Sequence, residues 1–393
     1  MKVLAILSDC PWPPNTGSRV RNAHLWPALQ RLGVEVRMLA LDQPGAARDA
    51  PPAGVELELH AFGREPWPVR AYHVLCHSYH QWPVSPSLRS RAAQLAVEWR
   101  PDVIHAEELR MAAYVPARAA APAAVRTLTL HNVESDLLRH TGSTALRFAR
   151  AAVERAHLGA LLAFERRAVL GADLAFAYSA ADLARYRELY PAARWAETRN
   201  GTHASLVTPA PQPAAPSVLL VGSLGYAPNV HGLYWFLDRV LPLLPRDLRV
   251  TVAGSRAGED VRRRLAASPV RFEDTPADLA PLYAEHALSV VPVFEGSGTR
   301  GKILESLAYE RAVVTTTPGA GGLELTEGEG FVLADDAEGF AAKVARLAAS
   351  PGERSELARR GRAAVLARYD WSGVARDLLA AWTACAEQRA RAG

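Results

Sequence analysis

The sequence predicts an α/β protein built as two similar halves, each a parallel sheet flanked by helices. Three observations carry this. Short apolar runs alternate with helical stretches along the first half, the pattern of repeated βα units. A segment with Pro209, Pro211, Pro213 and Pro216 interrupts that pattern near the middle of the chain. After it the alternation starts again.

Taken in order, residues 3–7 form the first apolar run and read as a strand. A proline-rich loop at 11–17 leads to a helix over 18–32, with Ser18 as its N-cap. Runs at 34–39, 55–59, 103–105, 125–130 and 174–178 read as further strands. The prolines of 209–217 continue neither a helix nor a central strand, so this stretch reads as a linker. Beyond it come a strand at 218–222, a helix at 231–244, and strands at 248–253, 288–293 and 312–316. The tail from about 370 to 391 reads as one helix, with Trp371, Leu378, Leu379 and Trp382 as its apolar stripe. The expected domains are 1–208, a linker 209–217, and 218–369, with a closing helix at 370–393 that packs back toward the first domain.

Composition sets limits on function. A chain of 393 residues with 49% hydrophobic and 22% charged residues is long enough for two full cores. Its apolar runs fall short of the ~18–20 residues of a membrane span. Residues 1–9 have too short an apolar core, and too early a carboxylate in Asp9, for a signal peptide. The cysteines Cys10, Cys76 and Cys385 are scattered, odd in number and without metal-site spacing, which suits a reducing compartment. The cytoplasm is the expected location. The net charge of +4 suits anionic ligands, and also a peripheral contact with the inner membrane surface. No Lys/Arg run with interleaved aromatics supports a nucleic-acid partner.

The most informative segment follows the apolar run 288–294. It reads Glu295, Gly296, Ser297, Gly298, Thr299, Arg300, Gly301, Lys302, and then enters a helix at Ile303. A glycine turn between a strand end and a helix start aims backbone N–H groups and the positive helix end at one point, which suits a phosphate. Arg300 and Lys302 add two cations, and Glu305 on the helix offers a carboxylate to the vicinal hydroxyls of a sugar. Lysine occurs only at 2, 302 and 343 among 45 basic residues, so Lys302 stands out from an arginine background. As a compact point charge it serves phosphate well. The plain alternative is a surface loop with two solvated cations.

With these residues in view, the chain resembles the GT-B fold glycosyltransferases over nearly its whole length. Within them it is similar to the family 4 retaining enzymes of bacterial polysaccharide and cell-surface glycan loci. The match rests on residues 296–305, with Gly301 where that subgroup has Leu, and on the strand and glycine loop at 311–323. It also rests on His131 to Ser135, Val221-Gly222-Ser223, Pro228-Asn229-Val230 and Arg199-Asn200-Gly201. The resemblance implies two Rossmann-like domains with the active site in the cleft between them. It implies transfer of a sugar from a nucleotide diphosphate sugar donor to a glycan, lipid-linked or small-molecule acceptor, with the anomeric configuration retained. No cofactor and no metal are implied, and no Asp-x-Asp metal signature is present.

Residue by residue, the resemblance assigns Glu305 to the donor ribose. Arg300 and Lys302 fall to the diphosphate, and His131 to the reacting centre. Gly17, Ser18, Gly222, Ser223, Gly296, Ser297, Gly298 and Thr299 become donor-binding positions, with Arg19 and Arg21 as possible helpers of the phosphate contact. The family's Glu-x7-Glu pair departs here: eight positions before Glu305 stands Ser297, and Glu295 lies ten before it. Glu295 is therefore the candidate for the sugar side. Two alternatives use the same residues: a nucleotide-sugar 2-epimerase on the same fold, and a non-catalytic nucleotide-sugar-binding subunit.

Other positions invite weaker readings. His105 ends a strand and precedes Glu107 and Glu108, with structural and functional readings in balance. Glu134 is a possible base that a retaining mechanism does not require. The aromatics and histidines of 67–82 read as loop packing ahead of a sugar or lipid contact. Arg147, Arg150, Arg155, Arg166 and Arg167 read as a solvated helix face ahead of a membrane-binding one.

Overall fold

The computed structural model describes the chain except residues 15, 44–47, 62–84, 132, 134–148, 296–300 and 393. Among the described residues, thirteen strands form two sheets. The first contains β1 (Lys2–Leu7), β2 (Glu35–Asp42), β3 (Glu56–Ala61), β4 (Val103–Glu107), β5 (Val125–Leu130), β6 (Leu174–Ala177) and β7 (Trp195–Glu197). The second contains β8 (Ser217–Val221), β9 (Arg249–Gly254), β10 (Arg271–Asp274), β11 (Leu288–Val291), β12 (Ala312–Thr315) and β13 (Phe331–Leu333). Their orders are β3-β2-β1-β4-β5-β6-β7 and β10-β9-β8-β11-β12-β13. Every described pairing within them is parallel.

The burial follows from this arrangement. A parallel sheet carries crossover helices on both faces, so its central strands are apolar throughout. Val3 to Leu7 of β1 are all fully buried, and so are Ala312, Val313 and Val314 of β12. Each sheet also reverses its strand order once, between β1 and β4 and between β8 and β11. Such a switch point opens a crevice at the carboxyl ends of the strands, where ligands of doubly wound sheets bind.

The chain divides into two compact units, Met1–Arg199 with Val374–Gly393, and Asn200–Gly373. The division falls at Arg199, ahead of the proline-rich stretch at which the sequence suggested it. The reason is a pair of buried arginines. Arg311 donates to the carbonyl oxygens of Ala210 and Pro211 at 3.1 and 3.3 Å. Arg354 donates to that of Pro213 at 3.2 Å and to Gln212 Oε1 at 3.3 Å. Prolines leave their carbonyls unmatched by N–H groups, and these guanidinium groups satisfy them and fasten the segment inside the second unit.

Several elements differ from their sequence-based reading. The first helix is Gly17–Arg31, and its N-cap is Thr16 with no side-chain cap bond, so Ser18 sits inside the first turn. The helix expected at 231–244 begins earlier, as Ala227–Trp235, and then passes through a π turn, Phe236–Val240, into a 3₁₀ turn, Leu241–Leu243. Pro242 lies in that last turn and cannot donate to an α-helical ladder. β7, β10 and β13 carried no sequence signal: each spans three or four residues at a sheet edge.

The closing helix is Trp371–Ala392. Trp371, Leu378 and Trp382 of the expected stripe are buried, Leu379 is half-buried, and Val374, Ala375 and Cys385 complete the face. In the first unit Trp382 stacks on Trp26 with ring centroids 6.3 Å apart. Among the described residues, no helix is long and apolar enough to cross a membrane.

Candidate functional site

In the second unit, the predicted residues gather at the carboxyl edge between β8 and β11. β8 ends at Val221 and the chain turns through Gly222 and Ser223 into the helix Ala227–Trp235. That helix lies close to the end of β11, because Gly232 has no side chain. A Cβ there would stand 1.7 Å from the Pro292 carbonyl oxygen. The close approach presents Asn229 and His231 beside the edge.

Lys302, in the first turn of the helix Gly301–Ala308, donates through Nζ to Asn229 Oδ1. Asn229 Nδ2 in turn donates to the Ser223 carbonyl oxygen at 2.8 Å. Gly222 makes room for the ammonium, since a Cβ there would lie 3.1 Å from Lys302 Nζ and 3.3 Å from Asn229 Nδ2. Gly222, Ser223 and Lys302 are thus brought together, with Asn229 as the group that aims the lysine.

Glu305 lies three residues after Lys302, so the two share a helix face. It is half-buried, beside Tyr283, whose ring stacks on Tyr309 at 4.5 Å. The Tyr283 hydroxyl lies against the carboxylate without the geometry of a full hydrogen bond. Burial raises the Glu305 carboxyl to about 7; the Tyr283 hydroxyl works the other way and the like charge of Asp278 adds to the rise. Glu295 is exposed just beyond β11, and its Oε1 is 2.7 Å from His231 Nδ1. Gly296, Ser297, Gly298, Thr299 and Arg300 lie outside the described residues.

In the first unit, Gly17 and Ser18 open the helix that follows β1. Gly17 is exposed, and beyond its chain neighbours and its own helix backbone no described atom lies within 4 Å of where its Cβ would stand. Arg19 and Arg21 are buried and held by carboxylates of their own unit. Arg19 makes a two-pronged pair with Asp9 at 2.6 and 2.8 Å. Arg21 Nε donates to Glu107 Oε1 at 2.9 Å. The reading of these arginines as helpers of a phosphate contact gives way to a structural one.

His131 follows β5, and its Nε2 lies 2.9 Å from Glu107 Oε1. Its ring stacks on Tyr178 at 4.6 Å. Glu107 is fully buried and central. Its Oε1 also accepts from Tyr178 Oη at 2.8 Å, and its Oε2 faces His105 Nε2 at 3.0 Å. Burial opposes its ionisation, but the Arg21 charge and the bonds from His105 and His131 outweigh it and hold the carboxyl well below its usual range. His105 has no exposed surface and is surrounded by Trp26, Trp382 and Phe176, so it serves the core.

Sequence reasoning missed Asn229 and His231 as site residues, and Glu107 and Tyr178 as partners of His131. Their partners lie 73, 64, 24 and 47 positions away along the chain. Only the helix start at 227–231 left a local trace, in the Pro228-Asn229-Val230 landmark. Glu134, Cys76, Arg147 and the aromatics of 67–82 lie outside the described residues, and nothing is described of the side chains of Arg150 and Arg155. Arg166 and Arg167 are exposed on the helix Ala149–Gly171.

Two family models match this chain in succession. A glycosyl transferase 4-like domain covers residues 16–201, and a glycosyl transferases group 1 domain covers 215–350. The chain belongs to the GT-B glycosyltransferases. A curated relative, an uncharacterized 44.6 kDa protein in the cps region of Klebsiella pneumoniae, is 26% identical over 165 residues. That match takes in 39% of this chain and 42% of the relative, so it spans less than half of either. Among solved structures, sucrose-phosphate synthase from Thermosynechococcus elongatus aligns over 100% of both chains with a TM-score of 0.68 at 18% identity. HepE of Anabaena in complex with UDP aligns over 98% of this chain and 100% of its own, also at 0.68 and with 15% identity. At these identities the likeness is one of fold. The glycosyltransferase fold accounts for both switch points.

Proposed function

We propose that this glycosyltransferase moves a sugar from a nucleotide diphosphate sugar to an acceptor with retention of configuration, and that it does so without a metal ion. The observation that carries the reading is the placing of Lys302. It is a rare lysine in this chain, aimed by Asn229 over Gly222 at the carboxyl edge of β8, with Glu305 on the same helix face. A cation and a carboxylate one helical turn apart match the two ends of a nucleoside diphosphate: phosphate charge and ribose hydroxyls. Solved relatives of the same fold include HepE complexes with UDP and with UDP-glucose, which supports this class of donor.

In the reaction, the bond between the anomeric carbon and the diphosphate breaks and the leaving group gains negative charge. Lys302 and Arg300, with the helix start at Gly301, stabilise that charge most as it develops, which lowers the barrier. Gly17 and Ser18 contribute backbone at a second helix start, and His131 contacts the sugar. Glu295, held by His231, takes the sugar-side role of the family's displaced carboxylate. The acceptor is a glycan, lipid-linked or small molecule, and the relative's place in a cps region supports a surface polysaccharide.

The test is product analysis with nucleotide sugars and a panel of saccharide and polyprenyl-phosphate-linked acceptors, in EDTA. We expect nucleoside diphosphate release in step with a glycoside that keeps the donor's anomeric configuration by proton NMR. Inversion would overturn the retaining mechanism. Loss of turnover in EDTA, restored by Mg²⁺ or Mn²⁺, would overturn metal independence. Conversion of the donor at C2 without acceptor would establish the epimerase instead.

A further inference from the structure

The first unit holds a buried carboxylate whose partners exceed what a core needs. Glu107 stands at the end of β4 with no exposed surface, and gathers Arg21, His105, Tyr178 and His131. His131 is the member of this group at the surface, its side chain 15% exposed. The next residue, Glu108, has φ of +82°, a conformation that side-chain-bearing residues rarely adopt. Its Oε1 lies 3.6 Å from His131 Nδ1, and Arg110 holds its other oxygen at 3.1 Å. Two consecutive carboxylates thus flank one imidazole, one on each ring nitrogen.

We infer that Glu107 is a positioning residue that fixes the tautomer and plane of His131 for the transfer reaction, with Tyr178 as the plate behind the ring. The inference rests on the reading of His131 as a contact of the transferred sugar. Its chemistry follows from the donors and acceptors present. An ionised carboxylate only accepts hydrogen bonds. Arg21 and the two histidines hold Glu107 ionised, so the proton on His131 lies on Nε2 and points into the protein. Nδ1 is left as the nitrogen that meets a ligand, since 3.6 Å to Glu108 is too long for a hydrogen bond. The stack on Tyr178, at 27° between ring planes, prevents the ring from turning over its face. Arg21 extends the same network to the Arg199 carbonyl oxygen at 2.7 Å and to Thr198 Oγ1 at 3.0 Å, so Glu107 stands on a rigid base.

The experiment combines imidazole ¹⁵N NMR with a double-mutant cycle. His131 resonances are assigned by their loss in His131→Asn. In the unaltered enzyme we expect a protonated Nε2; a neutral ring protonated on Nδ1 alone overturns the inference, and this reading needs no substitution at Glu107. In Glu107→Gln we expect the tautomers to mix and kcat to fall about 100-fold with little change in the donor KM, the cost of misplacing an active-site group. His131→Ala should fall by a similar factor, and Glu107→Gln added to it should cost nothing more. Losses that multiply would show Glu107 acting independently of His131 and overturn the inference. Full activity in His131→Ala would instead overturn the placing of His131 in the site, a failure distinct from an unchanged tautomer in Glu107→Gln.

Discussion

At the scale of single residues, Lys302 and Glu305 are held for opposite reasons. Lys302 is placed by Asn229 and by the missing side chain at Gly222, and its charge is useful as it stands. Replacement by Ala should lower kcat more than it raises the donor KM, because diphosphate charge grows toward the transition state. A raised donor KM with kcat unchanged, measured by steady-state kinetics, would reduce Lys302 to a ground-state contact. Glu305 carries a cost instead. With its carboxyl raised to about 7 in the folded protein, the native state holds a proton that the unfolded chain gives up near the ordinary carboxylate range. Stability therefore declines as pH rises from the ordinary range through about 7, and the full penalty is present above it. Glu305→Gln should melt higher than the parent at pH 8, with the difference vanishing below the ordinary carboxylate range. The same variant should bind nucleotide sugar more weakly, and donor affinity of the parent should rise from pH 6 to pH 8. A melting temperature unchanged at pH 8 would show that Glu305 is ionised without cost.

At the scale of elements, legibility tracked length and regularity. The central runs of β1, β5 and β12 were readable because burial on both faces makes them continuously apolar. The closing helix was readable from its stripe, and Trp382 of that stripe has no exposed surface. Trp382→Ala should cost about 3–5 kcal/mol by urea unfolding, the range for emptying a packed aromatic site. A loss under about 1 kcal/mol would mean that the helix does not depend on this contact. The edge strands β7, β10 and β13 escaped because three or four residues hold no period to detect. The division of the structure at Arg199, ahead of the expected linker, has a different origin. Proline marks where regular structure stops, but what fastens the segment is Arg311 and Arg354, a hundred or more positions downstream. The site divides along the same line: Lys302 was legible from its rarity in the composition, whereas Glu107 acquires its role only when residues 21, 131 and 178 meet it in space.

For the whole molecule, the two sheets share one strand order over six strands, the first adding β7 at an edge, and each carries a different set of side chains at the carboxyl ends of its strands. The second unit offers a cation and a carboxylate; the first offers an imidazole braced by a buried carboxylate. The central claim is that the Lys302–Glu305 face binds a nucleotide sugar, and calorimetric titration tests it most directly. UDP-, GDP- and dTDP-sugars would be titrated into the parent chain, Lys302→Ala and Glu305→Ala, each confirmed to be folded. The account predicts one-to-one binding of at least one donor to the parent. Glu305→Ala should weaken it by about 1.5–3 kcal/mol, the worth of charge-assisted hydrogen bonds, and Lys302→Ala should weaken it measurably. A donor that binds the parent and both variants with equal affinity, or no donor that binds the parent, would contradict the claim.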